Sequence, residues 1–150
     1  MNTSTPITLT PDHICIGVAD LDASIAWYER VLGFAVSIKW TVPELPGFRL
    51  AYLEKDGFRI ELIDAGDHAD HAVETMAFDQ FLRTRGYSHV CFRVDDVDAS
   101  MALIEAQGVV PELPPTDFPD VGRRVTFFRD IDGNYIELAG PMTSHDSSTA

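Results

Sequence analysis

One stretch of the chain is written twice, at an offset of 76 residues. Aligned on that offset, residues 13 to 29 and 89 to 105 agree at nine of seventeen positions. His13, Cys15, Val18, Asp20, Asp22, Ala23, Ser24, Ala26 and Glu29 meet His89, Cys91, Val94, Asp96, Asp98, Ala99, Ser100, Ala102 and Glu105. A second window, Asp56 to Leu62 against Asp132 to Leu138, keeps Asp-Gly and Ile-Glu-Leu in the same register. Repetition on this scale predicts two copies of one supersecondary unit related by a pseudo-twofold axis. It also pairs chemistry: His13 precedes Glu61 by 48 residues, and His89 precedes Glu137 by the same 48.

A chain of 150 residues suits one domain of two small modules sharing a core, not two large independent domains. The expected domain spans 1–142, with modules at about 12–63 and 87–140, a connector at 64–86 and a disordered polar tail at 143–150. No apolar run approaches membrane-spanning length, and the first residues lack the charged-then-apolar pattern of a secretion signal, so a cytoplasmic location is expected. A net charge of −13 argues against nucleic acid and acidic membrane surfaces as partners, and favours a cationic ligand unless local arginines reverse the field. Two cysteines make no disulfide framework. Their matching places in the repeat predict equivalent buried strand positions with a packing role, on the floor of any cleft the histidines share.

Periodicity assigns the elements of each copy. Residues 12 to 19 alternate as a strand, with Ile14, Ile16 and Val18 on one face and His13, Cys15 and Gly17 on the other. A helix follows, capped by Asp20, with an apolar stripe of Leu21, Ile25, Tyr28 and Leu32 and an end at Gly33. Strands near 35–42, 48–55 and 58–63 complete a βαβββ module, the last two joined by an Asp56-Gly57 turn. The second half repeats the plan with a strand at 87–94, a helix on Val97, Met101 and Ile104 ending near Gly108, and strands near 109–113, 124–129 and 135–139. Asp132-Gly133 is the matching turn, and a short helix is expected within 72–82 of the connector. The fold class is α+β: tandem βαβββ modules forming a cupped mixed β-sheet with helices on the outside.

Strand parity decides what the repeated residues can do. Ile60 and Leu62 belong to the helix-facing side, which leaves Arg59 and Glu61 on the face shared with His13, and Glu137 falls likewise with His89. If the two curved sheets face each other, His13, Glu61, His89 and Glu137 converge. Two imidazoles and two carboxylates suit one divalent ion (Ni, Zn, Co, Mn or Fe), and six-coordinate geometry would leave two positions for water or substrate. A single strand histidine is more often a hydrogen-bonded core or surface residue than a ligand, but duplication of the whole His/Glu spacing favours the metal. The cluster Asp64, Asp67, His68, Asp70 and His71 lies in the connector without a strand scaffold and is expected to be a solvated acidic loop. Phe48, Tyr52, Trp40, Phe118, Phe127 and Phe128 are the aromatic candidates for a pocket wall.

The stretch Asp-His-Ile-Cys-Ile-Gly-Val-Ala-Asp-Leu-Asp-Ala-Ser-Ile-Ala-Trp-Tyr-Glu-Arg-Val-Leu-Gly-Phe from Asp12, with Gly86-Tyr-Ser-His-Val and Phe127-Phe-Arg-Asp-Ile-Asp-Gly-Asn-Tyr-Ile-Glu-Leu, resembles the vicinal oxygen chelate superfamily. That group includes glyoxalase I, methylmalonyl-CoA epimerase, extradiol dioxygenases, fosfomycin-resistance enzymes and bleomycin-binding proteins. The resemblance covers about residues 11–140. It implies paired modules around a central metal, usually in a homodimer, with the site assembled within one chain or across two. It places the metal ligands at His13, Glu61, His89 and Glu137. A fourth ligand favours the glyoxalase I-like lyase and isomerase branch, which enolises a small oxygenated substrate by metal polarisation and glutamate proton transfer. Glu137 is then the expected base, with Glu61 its pseudo-symmetric rival. Arg59 and Arg93 by parity, and Arg123 or Arg124 on a nearby loop, would hold the substrate beside Tyr52 and Phe48. The alternatives are a metal-free drug-binding protein of the bleomycin-resistance kind and an Fe(II) extradiol-type dioxygenase.

Overall fold

A computed structural model describes residues 9–67 and 76–142. Asp20 caps the first helix by accepting hydrogen bonds at Oδ1 from the amides of Asp22 (2.9 Å) and Ala23 (3.1 Å), and Asp96 caps its counterpart through Ala99 (2.9 Å). The first module runs β1 (His13–Gly17), α1 (Leu21–Trp27), β2 (Ala35–Thr41), β3 (Arg49–Lys55) and β4 (Phe58–Asp64). A short α2 (Phe78–Phe81) precedes β5 (His89–Arg93), α3 (Val97–Glu105), β6 (Pro111–Phe118), β7 (Arg123–Arg129) and β8 (Tyr135–Gly140). The strands form two mixed four-stranded sheets, ordered β1-β4-β3-β2 and β5-β8-β7-β6, each with its first strand parallel to its last. The α+β fold of two βαβββ modules is therefore present. Among the described residues no helix is long and apolar enough to cross a membrane.

The copies differ in length after the first helix and in the last hairpin turn, and a bulge in β6 with a shorter β6–β7 connection adds a compensating pair of differences. After α1 the chain continues as a π-helical turn, Tyr28–Leu32, before Gly33 turns left-handed at φ 70°. The amide of Gly33 bonds the carbonyl of Glu29, four residues back, whereas that of Gly108 bonds Glu105, three back, so the first module carries one extra residue here. The second module recovers it in a turn. Asp56 (φ 50°) and Gly57 (φ 81°) alone join β3 to β4, while Ile131, Asp132 and Gly133 lie between Asp130 and Asn134, whose backbones bond at 3.0 Å. Across β3 and β7 the true offset is 75, and Tyr52, which pairs with Glu61, corresponds to Phe127, which pairs with Glu137.

The helix-side faces of both sheets merge into one core. Leu21, Ile25, Tyr28, Ile60 and Leu62 from the first module pack in one cluster with Met101, Ile104, Phe128, Ile136 and Leu138 from the second. Polar contacts lock the modules as well. Tyr28 donates to the buried Asp130 at 2.7 Å, and Asp132 accepts from Ser24 Oγ (2.6 Å) and the Ala19 amide (2.8 Å). A smaller cluster forms on the other face of the second sheet, where Phe81 stacks on Tyr135 at 3.8 Å beside Phe78 and Phe127. The expected connector helix is thus short, Phe78–Phe81; residues 72–75 of that expectation, and the tail 143–150, lie outside the described residues.

Candidate metal centre

Both histidines stand at the start of an edge strand and point away from the shared core. Along β1 and β5 alike, residues one, three and five are exposed and residues two and four are half-buried. The parallel register sets Cys15 opposite Glu61 and Cys91 opposite Glu137, so each glutamate comes beside the histidine two residues earlier on the neighbouring strand. His13 Nε2 lies 3.2 Å from Glu61 Oε2, and His89 Nε2 lies 2.9 Å from Glu137 Oε2. The four side chains are 15–29% exposed, enough shelter to hold them and enough opening for an ion to enter.

The other ring nitrogen is held too, differently in each copy. His13 Nδ1 is 2.6 Å from Asp12 Oδ2, and His89 Nδ1 is 2.9 Å from Ser88 Oγ. The hydrogen bond to His13 holds the Asp12 carboxyl below its ordinary range. A ring fixed through one nitrogen with the other beside a carboxylate is the usual posture of a metal-binding histidine, so each His/Glu pair fits half of an N2O2 ligand set. The two halves do not meet within one chain: among the described residues no three His, Cys, Asp or Glu side chains gather in a metal-binding group. The strands bring His13 to Glu61 and His89 to Glu137, while the merged core joins the modules through their helix sides.

Neighbours of the two pairs depart in part from expectation. Cys15 and Cys91 are exposed on the His/Glu face, not buried as packing residues, because strand parity aligns them with the histidines on the side the chain leaves open. Partial burial, reinforced by the adjacent glutamate, pushes the Cys15 thiol up to about 11 and that of Cys91 up to about 12, so both stay protonated at neutral pH. Tyr52 lies against His13 (ring centroids 5.4 Å) and Trp40 against Tyr52 (4.7 Å), while Phe127 presents an edge to His89 at 5.0 Å. Phe128 belongs to the helix-side core, Phe118 is exposed, and Phe48 is half-buried just before β3.

The arginines divide by face. Arg59 lies over the Tyr52 ring at 4.7 Å and is paired with Glu54 at 2.6 Å. Arg93 is exposed on the face of His89 and Cys91. Arg124, expected beside the substrate, sits instead on the helix side, held by Asp98 (2.6 Å) and Asp117 (3.0 Å), because it shares strand parity with Thr126 and Phe128. Of the acidic connector cluster, His68, Asp70 and His71 lie outside the described residues, and Asp64 is buried with Arg49 at 2.6 Å. Asp12 and Ser88 were missed. Only their adjacency to the histidines marked them, and side chains of neighbouring strand residues ordinarily point to opposite faces.

The Glyoxalase/Bleomycin resistance protein/Dioxygenase superfamily profile matches residues 10–138. A probable lactoylglutathione lyase of Vibrio cholerae is 29% identical, over 89% of this chain and 91% of its own length. Among solved structures, a glyoxalase family protein of Bacillus cereus superposes with a TM-score of 0.74 at 20% identity, over 93% of this chain and 99% of that one. The fosfomycin resistance protein FosX of Listeria monocytogenes, solved with Mn(II) and sulfate, superposes at 0.64 with 19% identity, over 91% and 96%. A twofold βαβββ repeat, a His/Glu pair on each open sheet face and a profile match along most of the chain agree: the protein belongs to the glyoxalase/bleomycin resistance protein/dioxygenase superfamily.

Proposed function

We propose that the protein is a divalent-metal-dependent lyase or isomerase of the glyoxalase I kind, acting as a homodimer whose sites each take one module from either chain. The observation that carries this is the pair of oriented, open His/Glu half-sites that a single chain keeps apart. Pairing the open face of one chain's first module with that of another's second module supplies His13, Glu61, His89 and Glu137 to one ion, twice per dimer. Bound there, the metal would polarise a substrate oxygen and acidify the adjacent C–H. Glu137 accepts that proton and returns it to the neighbouring carbon, so electrons and atoms balance as an isomerisation. Glu61 holds the opposite position and is its rival for the role. Arg93 supplies positive charge on the same face against the acidity of the whole chain, Arg59 does so from beneath Tyr52, and Tyr52 with Phe48 walls the first module's side. The protonated cysteines take no nucleophilic part.

Complementation tests both halves of the proposal. His13→Ala and His89→Ala chains should each be inactive toward a methylglyoxal–thiol adduct and lose metal. Mixed and re-equilibrated, they should recover roughly a quarter of parent activity, since half the dimers are mixed and each mixed dimer has one intact site. No recovery would place the site within one chain. Less than about a tenth of an equivalent of transition metal in the parent, with no uptake of added Ni, Co, Mn or Zn, would favour the metal-free drug-binding alternative, which the net charge of −13 suits. Oxygen consumption with catechols after anaerobic iron loading would point to the dioxygenase.

A further inference from the structure

The two half-sites share their ligands but not what stands behind them, and the difference has a chemical sense. Asp12 and Ser88 are repeat counterparts, 76 apart, and each bonds Nδ1 of the following histidine. A carboxylate can only accept, so Asp12 fixes a proton on His13 Nδ1 and leaves Nε2, beside Glu61, as the nitrogen that would face the ion. A hydroxyl can donate or accept, so Ser88 fixes neither tautomer of His89. Asp12 is itself backed by Arg59, whose Nη1 comes within 3.8 Å of its Oδ2, whose guanidinium covers Tyr52 and whose Nη2 is held by Glu54. Tyr52 in turn lies against the His13 ring. In the second module, behind its bond to Glu137, His89 meets the Ser88 hydroxyl and the edge of Phe127.

We infer that Asp12 is a positioning residue that makes the first module the anchoring half of the metal site, while the second module binds the ion more loosely and leaves Glu137 freer to move. The inference rests on the proposed metal-dependent function. It gives Arg59 a place behind the ligand, bracing Asp12 and Tyr52, in addition to any contact with substrate.

The test is metal affinity, measured for the intact protein by competition with a chromophoric chelator for Zn²⁺ and Ni²⁺. Asp12→Ala should weaken binding by about 10–100-fold, the usual effect of removing a carboxylate behind a metal-bound histidine, and Ser88→Ala by less than about threefold. Ser88→Asp should tighten binding, a gain that no loss of folding can imitate. The histidine side-chain ¹⁵N spectrum of the metal-free protein adds a readout independent of the ion: His13 should carry a proton on Nδ1, and should carry it less fully in Asp12→Ala. Asp12→Ala binding within threefold of the parent, a larger loss in Ser88→Ala, or a His13 with no proton on Nδ1 in the parent would each overturn the inference. A parent that takes up neither metal would overturn the proposed function, and the tautomer of His13 would still decide whether Asp12 orients it.

Discussion

The first and second modules carry the same ligands in the same strands, yet the surroundings of each pair have diverged in opposite directions. Around His13 the chain has placed charge: Asp12, Arg59 and Glu54 in series, with Tyr52 laid over the arginine. Around His89 it has placed apolar bulk, Phe127 against the ring and Phe78 and Phe81 from the connector packed on Tyr135, with the Arg129–Glu112 pair (2.9 Å) over that tyrosine. On the proposed function, the modules would offer an ion equal ligands and unequal support, so that one half could stay fixed while the other took part in proton transfer.

The comparison breaks most visibly at the glutamates. Glu137→Gln should lower kcat by about 10²–10⁴-fold with metal retained and melting temperature little changed, whereas Glu61→Gln should cost metal first. Steady-state kinetics with metal analysis decides it, and the reverse pattern would exchange the two roles. Next is the contact between modules. Tyr28→Phe leaves the buried Asp130 carboxyl without one of its donors and should cost about 1.5–3 kcal/mol in urea unfolding. The counterpart of Asp130 is the exposed Lys55, which donates to Leu32 O at 2.6 Å, and Lys55→Met should cost less than about 1 kcal/mol. Third, Arg93→Ala should raise KM about tenfold for a substrate with a carboxylate and leave a neutral analogue unaffected. Gly17 occupies the matching place in the first module, where a Cβ would meet nothing within 4 Å, so Gly17→Ala should leave both parameters near parent values.

The smallest expected difference is in pH dependence, where each module has one buried aspartate. Burial raises Asp130 despite bonds from Asn134 and Tyr28, so its protonated form favours the fold. That contribution is complete below its ordinary 3.8 and is lost as pH rises through the higher folded value. Asp64 is also pushed up by burial, but the Gly66 amide, Arg49 and the Leu21 amide outweigh this and leave it lowered. Its contribution is present above 3.8 and lost as pH falls through the lower folded value. Unfolding midpoints against pH should therefore lose their acid limb in Asp64→Asn and their decline above 3.8 in Asp130→Asn.

Much of this was legible in the repeat. Period-two alternation put His13, Glu61, His89 and Glu137 on the open faces, and Asp20 and Asp96 announced both helices. Parity was less safe in the second hairpin, because a constant offset of 76 hides the stretch where the copies run 75 apart. It matches Tyr52 with the buried Phe128 instead of Phe127. Arg124 was misplaced although the expected strand 124–129 already held it: its parity with Thr126 and Phe128 turns it toward α3. The cysteines were misjudged by residue type, since thiols usually bury, while their strand positions follow the ligands. Whether the pairs meet within a chain depends on which faces of the modules join, and Tyr28–Asp130 and Ser24–Asp132, the bonds that help join them, lie 102 and 108 residues apart.

The wide π-helical turn at Tyr28–Leu32 shows where this architecture tolerates a change of length. A residue added inside β4 or β8 ahead of its glutamate would turn Glu61 or Glu137 to the opposite face and away from its histidine. At the end of α1 the same addition is taken up by a looser coil, and the strand that follows still pairs with β3 along its length. Removing one residue there should tighten the turn into ordinary helix and leave both sheets in register. An engineer wishing to lengthen or shorten this protein would begin at that coil and at the Ile131–Gly133 turn, where the copies already differ.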